Sequence, residues 1–203
     1  MNNVIKLLAV LIHICTNKIC LIKVYIISFH NESNMITLTN PQYRVISDHH
    51  FAVVRQNLVN NQKAFFAQTS YQPGDVITNF SSGQVLTEPT YLTVQVDHDK
   101  HIMLQPEHLQ YINHSCDPNV FFDTYTMQVL ALRPIEEGDE MTFFYPSTEW
   151  DMAQPFTCYC GSHKCLGEIK GAAHINVDVI SKYKLTRFIQ QQLHDRSNKE
   201  KRA

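Results

Sequence analysis

Three thiols fall within eight residues toward the C-terminal end, in the run Cys158-Tyr-Cys160-Gly-Ser-His-Lys-Cys165. No other feature constrains the folding of this chain so strongly. Zinc binds thiolates in a tetrahedron, and cysteines this close in sequence lower the entropy cost of closing such a shell. Three ligands need a fourth, and Cys116, in a loop well upstream, is the natural candidate. Four thiolates leave no open coordination position, so the ion would be structural and would pin a C-terminal segment onto the loop around residue 116. Spacing alone leaves two other readings open: reduced, unliganded cysteines in a turn, and His163 in place of one thiolate. A Cys158–Cys160 disulfide would be strained, because one residue separates the pair.

The remaining cysteines, Cys15 and Cys20, stand apart. This is clustered usage and not the framework of a secreted disulfide scaffold, so the expected compartment is reducing and intracellular, cytoplasmic or nuclear. Hydrophobic residues make up 44% of the 203 and charged residues 18%, which excludes a disordered chain. A net charge of -2 gives no electrostatic footprint for nucleic acid, and no direct nucleic-acid binding is expected. Lys199, Lys201 and Arg202 form a solvated basic tail.

The first 30 residues are apolar but broken by Lys6, His13, Asn17, Lys18 and Lys23. The longest clean run, Leu7 to Ile12, is far short of a membrane span, and no small-x-small cleavage site follows it. The expectation is that residues 1–34 lie outside the fold, with translation starting at Met35, and that the chain has no membrane span. Beyond residue 43 short strands dominate: Phe51–Leu58, Val76–Phe80 ended by Ser81-Ser82-Gly83, an alternating Leu92/Val94/Val96, Met127–Leu132 and Met141–Tyr145. Turns fall at Pro73-Gly74-Asp75 and Pro134–Asp139. A helix is expected over 178–195, capped by Asp178, with Ile180, Tyr183, Phe188, Ile189 and Leu193 as its apolar stripe. The predicted class is mainly β with short helices.

Tyr111-Ile-Asn-His-Ser-Cys-Asp-Pro-Asn119 is rich in side chains that bind backbone and fix turns. A self-satisfied turn is one reading of Asn113 and His114. Pairing His114 with Cys116 as base and nucleophile is another, but it leaves the three later cysteines unexplained. Taken together, Asn113-His-Ser-Cys-Asp-Pro-Asn119, Glu137-Gly-Asp-Glu-Met-Thr-Phe-Phe-Tyr145, and C-x-C-x4-C followed by Leu166-Gly167 resemble the SET-domain protein-lysine methyltransferases with a post-SET zinc motif. The likeness is strong over 111–167 and faint over 45–105.

The resemblance implies a β-clip SET fold, with the C-terminal strand threaded through the Asn-His loop, a four-cysteine post-SET zinc segment and a C-terminal helix. It divides the chain into a SET domain at 43–147, a post-SET segment at 148–170, and a helix with basic tail at 171–203. It implies S-adenosyl-L-methionine as methyl donor, structural Zn2+ on Cys116, Cys158, Cys160 and Cys165, and a protein substrate carrying a lysine. Asn113 and His114 match the pair that contacts the cofactor, and Lys63 and Ala64 fall in the stretch that meets its methionine part. Leu166 falls where post-SET residues pack on the adenine. Tyr145 matches the tyrosine beside the transferring methyl group, and Phe122 and Phe143 match the substrate channel, where phenylalanine leaves room for a water and so for more than one methylation. A sulfonium methyl is already electrophilic, so the task left is to present a neutral lysine amine in line; the ammonium, with a reference pKa near 10.4, must first lose a proton.

The chain departs from the family pattern at four places. Gln62 and Ala64 replace the glycines of a Gly-x-Gly, where backbone approaches the cofactor. Phe80, Ser81 and Ser82 occupy a region that usually offers a channel tyrosine. Phe144 stands where aspartate is common. Residues 84–105 form a short insert where family members read substrate. The missing glycines support the alternative function, a catalytically impaired SET-fold protein-interaction module with structural zinc.

Overall fold

The structure, a computed structural model, describes residues 7–16, 19–28 and 43–202. The chain forms two compact units, Met1–Arg44 with Asn57–Asn61, and Val45–Gln56 with Gln62–Ala203. In the first unit, β1 (Leu7–Thr16) and β2 (Ile19–Ser28) pair antiparallel from Leu7↔Ser28 to Thr16↔Ile19. Within the interrupted apolar run, residues 7–16 and 19–28 are therefore strand. Met35 lies outside the described residues.

From residue 43 on, the chain forms small sheets of two or three strands. β3 (Tyr43–Asp48), β4 (Ala52–Asn57) and β5 (Lys63–Ala67) make the first, and β4 and β5 run antiparallel from Ala52↔Ala67 to Gln56↔Lys63. β6 (Val76–Asn79) follows. β7 (Ser81–Leu86), β8 (Thr93–Asp97) and β9 (Lys100–Gln105) form a sheet ordered β7-β9-β8. Ser81 and Ser82, expected to end a strand, instead open β7 opposite Gln105 and Leu104. Gly83 lets β7 lie close to β9, since a Cβ there would stand 3.1 Å from the Met103 carbonyl oxygen. The expected alternation in β8 is lost, because Thr93, Val94 and Gln95 are all buried.

A 3-10 turn at Glu107–Tyr111 leads into β10 (Asn113–His114). β11 (Val120–Asp123) and β12 (Gln128–Ala131) form a hairpin, and β12 also pairs with β6. β13 is only Thr142–Phe143, shorter than the expected Met141–Tyr145, because a 3-10 turn begins at Tyr145. β14 (Phe156–Thr157) and β15 (Glu168–Ile169) bracket the cysteine cluster.

The expected helix over 178–195 is two helices, α1 (Val177–Ile180) and α2 (Arg187–Glu200). Asp178 is not the cap: Asn176 accepts from the Asp178 amide at 2.8 Å, and Thr186 accepts from the Ile189 amide at 3.4 Å. Between the helices, Tyr183 turns inward. The main core gathers Phe65, Ile102, Leu109, Ile112, Phe122, Ile135 and Met141, all but sealed from water. A second core joins Phe144 to Ala172, Ile180, Leu185 and Ile189. Each such side chain contributes roughly 1.5–3 kcal/mol of burial, so the C-terminal helices dock directly behind the residue that precedes Tyr145.

Candidate functional site

The loop 113–119 holds β13 on two sides. β10 pairs with it in parallel, Asn113↔Thr142 and His114↔Phe143. The Ser115 amide donates to the Phe143 carbonyl at 3.0 Å, and the Asn119 amide donates to the Thr142 carbonyl at 3.1 Å. The Asn119 side chain substitutes for a neighbouring strand: its Oδ1 accepts from the Thr142 amide at 2.7 Å, and its Nδ2 donates to the Glu140 carbonyl at 2.8 Å. The strand that leads into Tyr145 thus passes through the Asn-His loop, hydrogen-bonded on both edges.

Asn113 and His114 are fixed by what they bind. Asn113 Nδ2 donates to the Lys63 carbonyl at 2.9 Å and to Glu140 Oε1 at 3.1 Å, which ties the loop to the start of β5. The Tyr145 amide donates to His114 Nδ1 at 3.3 Å. The ring proton then sits on Nε2, which lies 3.3 Å from Cys116 Sγ. Burial pushes His114 down to about 4, so the ring is neutral. One imidazole therefore links Tyr145 to the cysteine cluster. Cys116 itself is 0% exposed, which removes it as a nucleophile for any substrate.

Lys63 and Asn113 meet through the Lys63 carbonyl, while Lys63 Nζ donates to the Tyr111 hydroxyl at 3.3 Å and lies over that ring. Ala64 is buried with Val53 and Phe66 in a small separate cluster. Neither Gln62 nor Ala64 takes a left-handed backbone. In this turn that conformation falls to Asn61, with φ 60°, a residue type that tolerates it.

Tyr145 borders a cavity of about 300 Å³ whose walls include Leu104, Leu109, Ile112, Phe143 and Glu149. Its ring lies 4.6 Å from Phe143 and 5.2 Å, edge-on, from His114. Burial raises its phenol to about 12, so the hydroxyl keeps its proton and acts as a donor. Phe143 faces the cavity. Phe122, fully buried, stands behind Phe143 at 4.7 Å, and Phe80 packs on Phe122 at 5.5 Å. The two predicted channel phenylalanines are thus a wall and its support. Leu166 borders a different cavity, with Cys116, Pro118 and Tyr183.

The thiols of Cys116, Cys158, Cys160 and Cys165 converge, with all sulfurs within 4.8 Å of one another and Cys116 Sγ to Cys158 Sγ at 3.9 Å. Zinc–sulfur bonds of about 2.3 Å in a tetrahedron put sulfurs about 3.8 Å apart, so the four fit one zinc ion. Burial raises the Cys116 thiol and takes Cys158 up to about 11; a bound cation supplies the charge that lets them ionise. His163 is exposed and outside the group. The cluster is buttressed by the Tyr183 hydroxyl donating to the Cys116 carbonyl at 2.9 Å, the Leu166 amide donating to Cys116 Sγ at 3.4 Å, and a Lys164–Asp117 ion pair at 2.8 Å.

Sequence reasoning missed Asn119 as a strand surrogate, Tyr183 as a buttress, and Glu149 on the cavity wall. The sole signal for Glu149 is its place one turn after Tyr145.

A threaded loop, a phenol at a cavity and a four-cysteine cluster that could hold a metal ion define a SET fold with a cysteine-bearing C-terminal segment. The profile of the SET domain matches residues 22–146, and the chain belongs to that family. It is 42% identical over 122 residues to a protein of Aspergillus flavus called methyltransferase flvH, covering 59% of this chain and 68% of that one. It is 28% identical over 128 residues to a histone-lysine N-methyltransferase, H3 lysine-36 specific, of Gibberella zeae, and 30% identical over 112 residues to the protein of that description in Chaetomium globosum. The chain spans 14% and 12% of those two relatives. Among the described residues no helix is long and apolar enough to cross a membrane.

Proposed function

We propose that this protein transfers a methyl group from S-adenosyl-L-methionine to the side-chain amine of a protein lysine. The observation that carries the reading is Tyr145: a protonated phenol on the wall of an apolar cavity, its amide hydrogen-bonded to His114 of the Asn-His pair. The names of the relatives support methyl transfer, and those of the two histone enzymes support lysine as acceptor.

In this reading the sulfonium of the bound donor supplies the electrophilic methyl. Asn113, His114 and Lys63 hold the donor side, where Asn113 already fixes the Lys63 carbonyl. Leu104, Leu109, Ile112 and Phe143 exclude water around the acceptor chain and favour a neutral amine. The Tyr145 hydroxyl orients the reacting groups. The cysteine cluster, loaded with zinc, holds the 113–119 loop and the C-terminal segment in register, and its thiols require a reducing compartment, cytoplasm or nucleus.

Calorimetric titration of the zinc-loaded full chain with S-adenosyl-L-methionine, followed by tritium transfer to purified core histones, tests the reading. Saturable heat and label on lysine are expected. Absence of heat at millimolar donor from folded, zinc-loaded protein overturns it in favour of a protein-binding module.

A further inference from the structure

Glu149 is only 7% exposed, yet it lines the cavity that Tyr145 and Phe143 line. Its amide donates to the Tyr145 carbonyl at 3.1 Å, closing one turn between them. Its Oε1 accepts from the Gln95 amide at 2.9 Å and from the Thr148 hydroxyl at 3.2 Å. The Trp150 amide returns a bond to Gln95 Oε1 at 3.0 Å, so residues 149–150 are locked onto β8.

Those contacts do not call for a carboxylate. A glutamine carbonyl would accept both bonds with no charge to desolvate. Among the described residues no cation pairs with Glu149, and neither of its bonds reaches Oε2. A buried carboxylate without a cation costs several kcal/mol, and an anion with an open oxygen in an apolar wall fits a ligand that brings positive charge. The burial pushes Glu149 up to about 7, leaving both protonation states accessible near neutrality, and a bound cation favours the ionised one. The apolar part of the wall, which includes Leu104, Leu109, Ile112 and Phe143, suits an unbranched alkyl stem, while Thr90, Thr93, Gln110 and Gln154 make other parts of the lining polar. Lys63, Ala64, Asn113 and His114 are absent from this lining, which in the proposed reading puts the carboxylate on the acceptor side of the site.

We propose that Glu149 receives the primary ammonium head of the substrate side chain, with Oε2 accepting from it, and holds that head beside Tyr145 while the apolar wall takes the alkyl stem. This rests on the reading of the cavity as the acceptor site of an amine methyltransferase. Glu149 would then select a cationic side chain before chemistry begins.

The probe is n-butylammonium, added without methyl donor to the full chain at mildly alkaline pH. The fluorescence of Trp150, the single tryptophan of the chain, reports binding. Wild type should saturate and prefer n-butylammonium over n-butanol, a neutral chain of the same length. Glu149→Gln should bind n-butylammonium about tenfold more weakly and n-butanol unchanged. Glu149→Asp, which keeps the charge, should retain the preference for ammonium. Equal n-butylammonium affinity in wild type and Glu149→Gln overturns the assignment. So does a wild type that fails to saturate or does not prefer the ammonium, an arm that holds even where the glutamine variant does not fold. A protein that binds S-adenosyl-L-methionine and methylates lysine but lacks this preference loses only the Glu149 role. One that shows the preference but binds no donor loses only the proposed reaction.

Discussion

The rings of Phe144 and Tyr183 stack with centroids 3.8 Å apart and planes 10° from parallel. Phe144 immediately precedes Tyr145, and the Tyr183 hydroxyl donates to the Cys116 carbonyl. A single aromatic pair therefore joins the segment leading into the proposed catalytic tyrosine to the loop that carries Cys116. It also accounts for the missing aspartate: position 144 is 2% exposed in an apolar cluster, where a carboxylate would be buried without a cation.

Replacing Phe144 with aspartate should destabilise the fold by about 3–5 kcal/mol, combining a lost ring with a buried charge. Tyr183→Phe keeps the stack and loses one hydrogen bond, costing about 1 kcal/mol. Urea unfolding midpoints separate the two effects. Equal losses would mean the ring stack contributes nothing beyond the hydroxyl.

Tyr145→Phe keeps the packing against Phe143 and removes the phenol donor. Turnover should fall about 100-fold with donor affinity nearly unchanged. Single-turnover methyl transfer beside calorimetry checks this; undiminished turnover removes Tyr145 from the mechanism.

Wild type should carry one zinc per chain by mass-spectrometric metal analysis, and Cys160→Ala should lose it. With it goes protection of residues 150–170 against hydrogen exchange. Stoichiometric zinc retained by the variant would refute the four-cysteine ligand set.

Glu149 gives the fold a pH dependence of fixed sign. Burial raises its pKa from 4.5 to about 7. Between those values the folded protein holds a proton that the unfolded chain has released, so this contribution is full below about pH 4.5 and is lost as pH rises to about 7. The loss is up to about 3 kcal/mol. Gln95 and Thr148, which bond the carboxyl, are uncharged, and Tyr145 keeps its proton throughout this range. Unfolding free energies of wild type and Glu149→Gln, measured across that window, should diverge in favour of the variant as pH rises. A constant difference between them would show that the carboxyl does not titrate there.

Much of the candidate site was legible in the sequence because it is built from residue types with few substitutes. Thiols at C-x-C-x4-C and a fourth cysteine upstream announce a metal shell, and Asn113-His114 with Tyr145 announces the family. The elements were less legible. Ser81-Ser82 read as a strand end because small polar residues favour turns, yet pairing with Gln105 and Leu104 made them the start of β7. The single C-terminal helix became two because Tyr183 gains a ring stack and a hydrogen bond by leaving the helical path. Gln62 and Ala64 stand where the family has glycines, and in this turn the left-handed backbone falls to Asn61.

The sequence alone determined the ligand types, their spacing and the predominance of short strands, since thiol chemistry and β propensity are local properties. Only the tertiary structure decided that His114 spans Tyr145 and Cys116, that Phe143 and not Phe122 faces the cavity, and that Glu149 shares that cavity with Tyr145. Those are relations between segments brought together by threading β13 through the 113–119 loop, and local pattern carries no information about which distant side chains a threaded strand will meet.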